Sequence, residues 1–309
     1  MSVRHGIERA LVRGAMGLLA AVPTRGRAAL GRAAARGYLR IGKRRREIAL
    51  GNLRRAFPEM SEPEIRDTAR RCAESFGTVF FDFLAATRLS REELLSVVEM
   101  EGADHYLGAV ARGKGVFLLS AHFGNWEIGA LAAGLLARPI SSVVRRLDNP
   151  GLERELGRLR GRFGNATIEK KHAARGILRE MRAGHTVAIL IDQNVLAREA
   201  VFVPFFGRLA ATSPALGLLQ KKTDAAVVPV FCRPRPAAER TGAAGTGPLY
   251  TLRFEPPIVL GDLSPEERTV EALTARYTRV TEEAVRREPS LWLWMHNRWR
   301  TRPPEEARP

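Results

Sequence analysis

The spacing of apolar residues changes near residue 100. Before it, they recur every three or four positions, so that Ile65, Ala69, Cys72, Ala73 and Phe76 share one helical face. Ser61-x-x-Glu64, with Pro63 in the first turn, predicts the start of that helix, because serine and glutamate at this spacing satisfy free backbone donors reciprocally. Phe80, Phe81, Phe83 and Leu84 extend the apolar stretch and read as core. Beyond residue 100, short apolar runs alternate with helical patterns. Strands are predicted at 116–119, 140–144, 186–191, 227–231 and 249–254, and helices near 127–137, 152–162, 173–183 and 214–222, the last capped by Thr212-Ser213 before Pro214. This alternation predicts an α/β fold, a mostly parallel mixed sheet flanked by helices. Residues 1–50 read as an N-terminal basic amphipathic helical extension and 51–309 as a single α/β domain. The Pro/Gly/Ala-rich segment 233–248 is the candidate flexible loop.

Charge adds to this picture. Lys and Arg number 50 against 33 Asp and Glu, a net charge of +17. That excess favours anionic partners, or is simply a solvated arginine-rich surface. No zinc-finger spacing or aromatic RNA-binding signature accompanies it, so nucleic acid is not the expected partner. The apolar run 16–22 is far shorter than the ~20 residues needed to span a bilayer. Arg9, Arg13, Arg25 and Arg27 bracket it, and Arg40, Lys43, Arg44, Arg45 and Arg46 extend the cationic face. This pattern predicts a helix lying in a membrane interface, against the plainer alternative of a helix packed on the core. Cys72 and Cys232 are far apart and lack metal-ligand spacing, so neither a disulfide framework nor a metal site is expected.

The candidate chemistry sits in Ser120-Ala-His122-Phe-Gly124-Asn-Trp-Glu127. An apolar strand feeds this segment and an apolar helix leaves it, so it opens at the carboxyl end of a strand, where α/β sheets keep their ligand crevices. On one continuous helix, His122 and Glu127 would face roughly 140° apart. They meet only if His122 lies in the turn and Glu127 in the first helical turn. Gly124 permits the bend and Asn125 is the expected helix cap. The arrangement predicts an imidazole base oriented by the Glu127 carboxylate.

Other candidates follow from strand ends. Arg145 closes the strand 140–144, expected beside the strand that delivers His122, and should reach the same crevice to hold a phosphate, a carboxylate or an oxyanion; the alternative is a surface ion pair with Asp148. Arg146 should point to the opposite face. Asp192 and Gln193 follow the strand 186–191 and fit either orienting Arg145 or binding substrate hydroxyls, the alternative being a turn and helix-cap role for Asp192. Phe202, Phe205 and Phe206 fit an acyl-tunnel wall and plain core equally. Trp292, Trp294, His296, Arg298 and Trp299 suit a membrane-interface belt or a substrate rim, although tryptophans also fill cores, and His296 has no sequence neighbour that would make it a second base. His5, His105, His172 and His185 are isolated and read as surface or structural. No P-loop, dinucleotide fingerprint, HExxH or Gly-x-Ser-x-Gly is present in the sequence.

The segment His-x4-Glu within His-Phe-Gly-Asn-Trp-Glu resembles the active-site signature of the late lipid A acyltransferases, the lauroyl/myristoyl group of the lysophospholipid (glycerolipid) acyltransferase superfamily. Further segments are similar in the same order: Asn52 to Glu59, Arg145 to Pro150, Ile191 to Gln193, Val201 to Gly207, Pro229 to Phe231 and Trp292 to Pro303. One departure is Arg146, where the family usually has proline. The resemblance implies a glycerolipid-acyltransferase-like fold with a membrane-associating extension. It implies transfer of a fatty acyl group from an acyl-carrier-protein thioester to a hydroxyl of an anionic lipid A precursor, in lipopolysaccharide biosynthesis at the cytoplasmic face of the bacterial inner membrane. The catalytic pair would be His122 and Glu127, with Arg145, Asp192, Gln193, Asn125 and Arg298 binding substrate and Phe202, Phe205 and Phe206 lining the acyl pocket. A thioester is already activated, so no metal or other cofactor is expected beyond the acyl-carrier-protein or acyl-CoA co-substrate. An acidic carrier protein and a membrane surface are the expected partners. The alternatives are acyl-CoA-dependent acylation of another glycolipid, such as a phosphatidylinositol mannoside, and a non-catalytic basic membrane-binding protein.

Overall fold

The computed structural model describes residues 3–86, 89–171, 173–240 and 247–306. His172, the side chains of His5 and Arg9, and the middle of the loop expected at 233–248 lie outside the described residues. Four helices open the chain: α1 (Val3–Ala21), α2 (Thr24–Ile41), α3 (Lys43–Ala56) and α4 (Glu62–Ala85). Then follow α5 (Arg91–Ser96), β1 (Val98–Glu101), α6 (Ala103–Ala111), β2 (Val116–Ser120), α7 (Trp126–Leu136) and β3 (Ile140–Val144). After them come α8 (Pro150–Arg160), β4 (Ala166–Glu169), α9 (Ala173–Arg182), β5 (Thr186–Leu190), β6 (Val201–Phe205) and β7 (Arg208–Thr212). The chain closes with α10 (Ala215–Thr223), β8 (Ala226–Pro234), β9 (Tyr250–Phe254) and α11 (Val270–Arg287).

Seven strands form one sheet in the order β1-β9-β8-β2-β5-β3-β4, parallel throughout except for β8 against β9. This is the expected mostly parallel mixed sheet flanked by helices. β5 lies between β2 and β3, which corrects the expectation that the strand ending at Val144 borders the one delivering His122. The five expected strands are present. β1, β4, β6 and β7 carried no clear periodicity; β4 is an edge strand whose residues are mostly exposed, so no apolar alternation marks it.

Every residue of β2 is buried, as a central parallel strand requires. One face of the sheet packs on α1, α4, α6 and α7 through Met16, Leu19, Tyr106, Leu131 and Leu118. The other packs on α9, α10 and α11 through Ile177, Leu216, Leu273 and Val187. A third cluster joins α3 and α4 to the C-terminal segment through Leu53, Ile65, Phe205, Trp292 and Trp294. The capping box at Ser61 and Glu64 is formed, with Ser61 N donating to Glu64 Oε2 at 2.8 Å. Pro214 occupies the N-cap of α10 rather than its first helical position, and Ser213 Oγ accepts from Ala215 N.

α2 lies against α4, with Arg27 paired to Asp82 at 3.0 Å and Arg36 to Glu74 at 2.7 Å. Their backbones touch where glycines meet. A Cβ on Gly77 would stand 2.2 Å from the Gly31 carbonyl oxygen. Gly77→Val should therefore lift α2 from α4 and destabilise the fold by about 1–3 kcal/mol. An unchanged thermal midpoint for that variant would show that the crossing relaxes without cost.

Candidate active site

His122 is placed by a turn that leaves β2 and enters α7. Gly124 has φ +53°, and a Cβ there would sit 1.9 Å from the Cys232 carbonyl oxygen, so only glycine fits. Asn125 caps α7, its side chain accepting from Ile128 N at 3.1 Å. The C-terminal segment binds the turn from outside: Gly124 N donates to Leu291 O at 2.9 Å and Leu293 N to His122 O at 3.1 Å. Asn125 N closes the other side on Cys232 O at 2.8 Å. The backbone around His122 is thus held from β8 and from the C-terminal segment.

The carboxylate that orients His122 is Asp192, not Glu127. Asp192 Oδ1 stands 2.9 Å from His122 Nδ1, and Oδ2 accepts from the His122 backbone N at 3.0 Å and from the Trp292 indole Nε1 at 2.8 Å. Parallel register explains the meeting. Ser120 pairs with Leu190 across β2 and β5, and His122 and Asp192 each follow two residues later. Asp192 is buried, His122 partly so. Burial alone would lower the imidazole pKa. The Asp192 carboxylate, helped by the charge of Glu127 and opposed by Arg160, outweighs that effect and holds it above the ordinary histidine value. Burial likewise pushes Asp192 up, and the facing His122 with the three hydrogen bonds brings it below the usual carboxylate range. With its Nδ1 proton on Asp192, the ring presents Nε2 as an acceptor. The Gln193 amide Nε2 lies 3.3 Å from that nitrogen and donates to it.

Glu127 occupies the first turn of α7, as expected, but its partner is Arg160 at the end of α8. The guanidinium holds it through two nitrogens, Nε to Oε2 at 3.0 Å and Nη2 to Oε1 at 2.5 Å. The expected hydrogen-bonded His122–Glu127 pair is therefore replaced by a longer-range electrostatic contact. The turn carries the His122 ring toward β5 and the helix carries Glu127 toward α8.

His122, Glu127, Arg160 and Gln193 line a cavity of about 1090 Å³ at the carboxyl ends of β2, β5 and β3. Its shape follows from a split in the sheet. β3 and β5 are paired only as far as Ser142 and Ala188, whereas β5 stays with β2 to Leu190 and β3 with β4 to Glu169. Beyond the last pair the strands part, and Val143, Val144, Ile189 and Leu190 face the opening. The cavity consequently reaches both faces of the sheet, along Ala130 and Ala133 of α7 on one side and Ile177 and Leu216 on the other.

Arg145 lines this cavity, exposed, and among the described residues forms no ion pair with Asp148; Arg146 turns to Glu169 at 3.9 Å. Gln193 and Asp192 take part as described. The other expected site residues do not line the cavity. Asn125 is fully buried as a cap and does not line the cavity. Arg298 is buried, donating to Ala211 O at 2.6 Å and to Thr212 Oγ1, and burial pulls its pKa down to about 10. Phe205 and Phe206 are buried against Trp292, Trp294, Trp299 and Phe57, and Phe202 is likewise absent from the cavity wall. Trp292 and Trp294 are core residues rather than a membrane belt. The functional contacts that the sequence did not reveal are those of Asp192, with the His122 ring and with the Trp292 indole. Among the described residues no three His, Cys, Asp or Glu side chains cluster to hold a metal ion.

Fold and site together define an α/β protein with an imidazole–carboxylate pair at the carboxyl end of a mostly parallel sheet and a largely apolar cavity beside it. The bacterial lipid A biosynthesis acyltransferase family matches residues 2–301, and the chain belongs to that family. It is 30% identical over 268 residues to the lipid A biosynthesis lauroyltransferase of Escherichia coli, covering 86% of this chain and 82% of that one. It is 29% identical over 274 residues to a lipid A biosynthesis acyltransferase of Haemophilus influenzae, covering 87% and 82%. It is 27% identical over 273 residues to the E. coli lipid A biosynthesis myristoyltransferase, covering 87% and 80%. The protein is thus an O-acyltransferase of lipid A biosynthesis. Among the described residues, no helix is long and apolar enough to cross a membrane.

Proposed function

We propose that this enzyme moves a fatty acyl group from an acyl-carrier-protein thioester to a hydroxyl of a lipid A precursor, with His122 as general base. The observation that carries this reading is the polarity of the ring: Nδ1 is committed to buried Asp192, and Nε2 is left as an acceptor at the cavity. The acceptor hydroxyl takes the place of the Gln193 amide and gives its proton to Nε2. Its oxygen attacks the thioester carbonyl carbon, forming a tetrahedral oxyanion. Collapse breaks the carbon–sulfur bond, and the imidazolium returns the proton to the leaving thiolate, so an ester and a free thiol result. Asp192 holds the tautomer and stabilises the imidazolium. Glu127 adds a second negative charge at longer range and, with Arg160, ties α7 to α8. Arg145 supplies an always-charged guanidinium for a substrate phosphate. Incubation with acyl-carrier-protein donors and a tetra-acylated, sugar-bearing lipid A precursor should give a product heavier by one acyl group. Product only from acyl-CoA, or only on another glycolipid, would overturn the donor or the acceptor.

The acyl chain of the donor fits the cavity, which is apolar along most of its walls and runs through the split between β3 and β5. Ala188 stands at the last paired position of β5 and lines it. Ala188→Leu should shift preference toward shorter donors, read by competition among thioesters of different chain length. An unchanged product distribution would place the chain elsewhere.

Two helix faces support association with an anionic membrane surface. On α1, Leu11 and Leu18 are 68% and 73% exposed and lie seven residues apart, hence on one face. On α2, Leu30, Tyr38 and Ile41 are exposed, Ile41 to 86%, and the same helix carries the exposed Arg32 and Arg40. Met16 and Leu19 on the opposite face of α1 are core, and Arg27 pairs with Asp82, so removing residues 1–30 would damage the fold. Leu18→Asp with Ile41→Asp is the cleaner test. The double variant should sediment less with anionic liposomes at unchanged thermal midpoint. Undiminished sedimentation would move the membrane contact to another surface of the protein; the membrane face proposed for it is the cytoplasmic face of the inner membrane.

A further inference from the structure

His296 lines the same cavity as His122 and is bound in the opposite sense. The Asn194 backbone N–H donates to His296 Nε2 at 2.9 Å, so that nitrogen is the acceptor and the ring proton sits on Nδ1. Among the described residues Nδ1–H donates to no protein group, and the ring lines the cavity, so this N–H is the one left for a ligand there. The ring's own backbone is anchored: His296 N donates to Leu293 O at 3.1 Å, and Asn52 Nδ2 to His296 O at 2.8 Å. Three consecutive residues thus set both imidazoles. Asp192 and Gln193 take the two nitrogens of His122, and Asn194 takes one of His296. One ring of the cavity wall offers a lone pair and the other offers a proton.

We propose that His296 is a second catalytic residue of the acyl transfer, donating its Nδ1–H to the oxyanion formed when the thioester carbonyl is attacked. This role rests on the acyl-transfer reading above. A neutral donor suits the task, because it stabilises developing negative charge without competing with His122 for the proton being moved. Burial, opposed by the Asp192 carboxylate and aided by the nearby His122, Arg298 and Arg45, pulls the His296 pKa down to about 4, so the ring stays neutral where the base works. Its place in the C-terminal segment, beside the Trp292 that holds Asp192, couples donor and base in one rigid unit.

Two substitutions separate a donor from a mere anchor. His296→Gln keeps an oxygen able to accept from Asn194 N–H and loses the Nδ1 donor. His296→Asn places an amide N–H near the Nδ1 position and loses the acceptor. A donor role requires kcat to fall about 100- to 1000-fold in His296→Gln. KM should change little, and His296→Asn should retain most of the rate. The reverse order, with glutamine tolerated and asparagine not, would show that the ring only anchors Asn194 and would overturn the proposal. The wild-type pH profile is a check that depends on no variant's folding. Between about pH 5 and 8 it should show one histidine limb, that of His122; a second limb overturns the proposal. Wild-type turnover in the same assay is what the acyl-transfer reading requires, whereas the ratio of the two variants is what the donor role requires, so the two failures are told apart.

Discussion

His122→Ala lowers turnover about 100- to 10,000-fold, the usual worth of a positioned general base, while the thermal midpoint stays near that of the wild type. The reason is geometric. The ring lies partly exposed at the cavity mouth, and the backbone of its turn is held by bonds from Leu291, Leu293 and Cys232 that do not involve the side chain. Removing the imidazole takes away the acceptor for the hydroxyl proton and leaves the turn in place. It also leaves Asp192 buried with two donors, the His122 N–H and the Trp292 indole. Turnover by mass spectrometry, beside a melting curve, checks this. A folded His122→Ala enzyme that turns over near the wild-type rate excludes His122 as the base.

Asp192→Asn is expected to be nearly as severe. An amide in place of the carboxylate favours the wrong ring tautomer, a change that costs about 10,000-fold in the Ser-His-Asp enzymes. It also removes the charge that holds the His122 pKa up, leaving burial to pull it down. The base must be neutral to work, so the acid limb of kcat/KM should move to lower pH in this variant. Stability runs the other way. Because folding raises the His122 pKa above 6.5, its ion pair contributes fully below that value and is lost as pH rises through the raised one. Glu127→Gln is the comparison. It keeps a hydrogen-bonding partner for Arg160 and leaves the His122–Asp192 pair untouched, so its loss of turnover should be smaller and its acid limb should move less. A larger effect at Glu127 than at Asp192 would restore Glu127 as the orienting carboxylate.

The sequence by itself determined the parts whose evidence is local. Alternation of apolar runs with helical patterns was enough for an α/β sheet and for five of its strands, because burial on both faces writes continuous apolar runs. The placement of His122 in a turn, with Glu127 in the first turn of the next helix, was legible because Gly124 and Asn125 perform jobs that few residues can. Arg145 at a strand end was legible for the same reason. The pairing of side chains was not. Asp192 lies 70 residues from His122 in the chain, and only the parallel register of β2 with β5 sets them side by side. Glu127, five residues away, is turned by α7 toward Arg160. Phe205, Phe206 and Arg298 carry the residue types of a lipid pocket and a phosphate site, yet packing against the C-terminal tryptophans made them core. Spacing reports neighbours along the chain, whereas sheet order and register decide neighbours across it. The split between β3 and β5 that shapes the cavity, and the imidazole of His296 that faces it, exist only once those strands and the C-terminal segment have met.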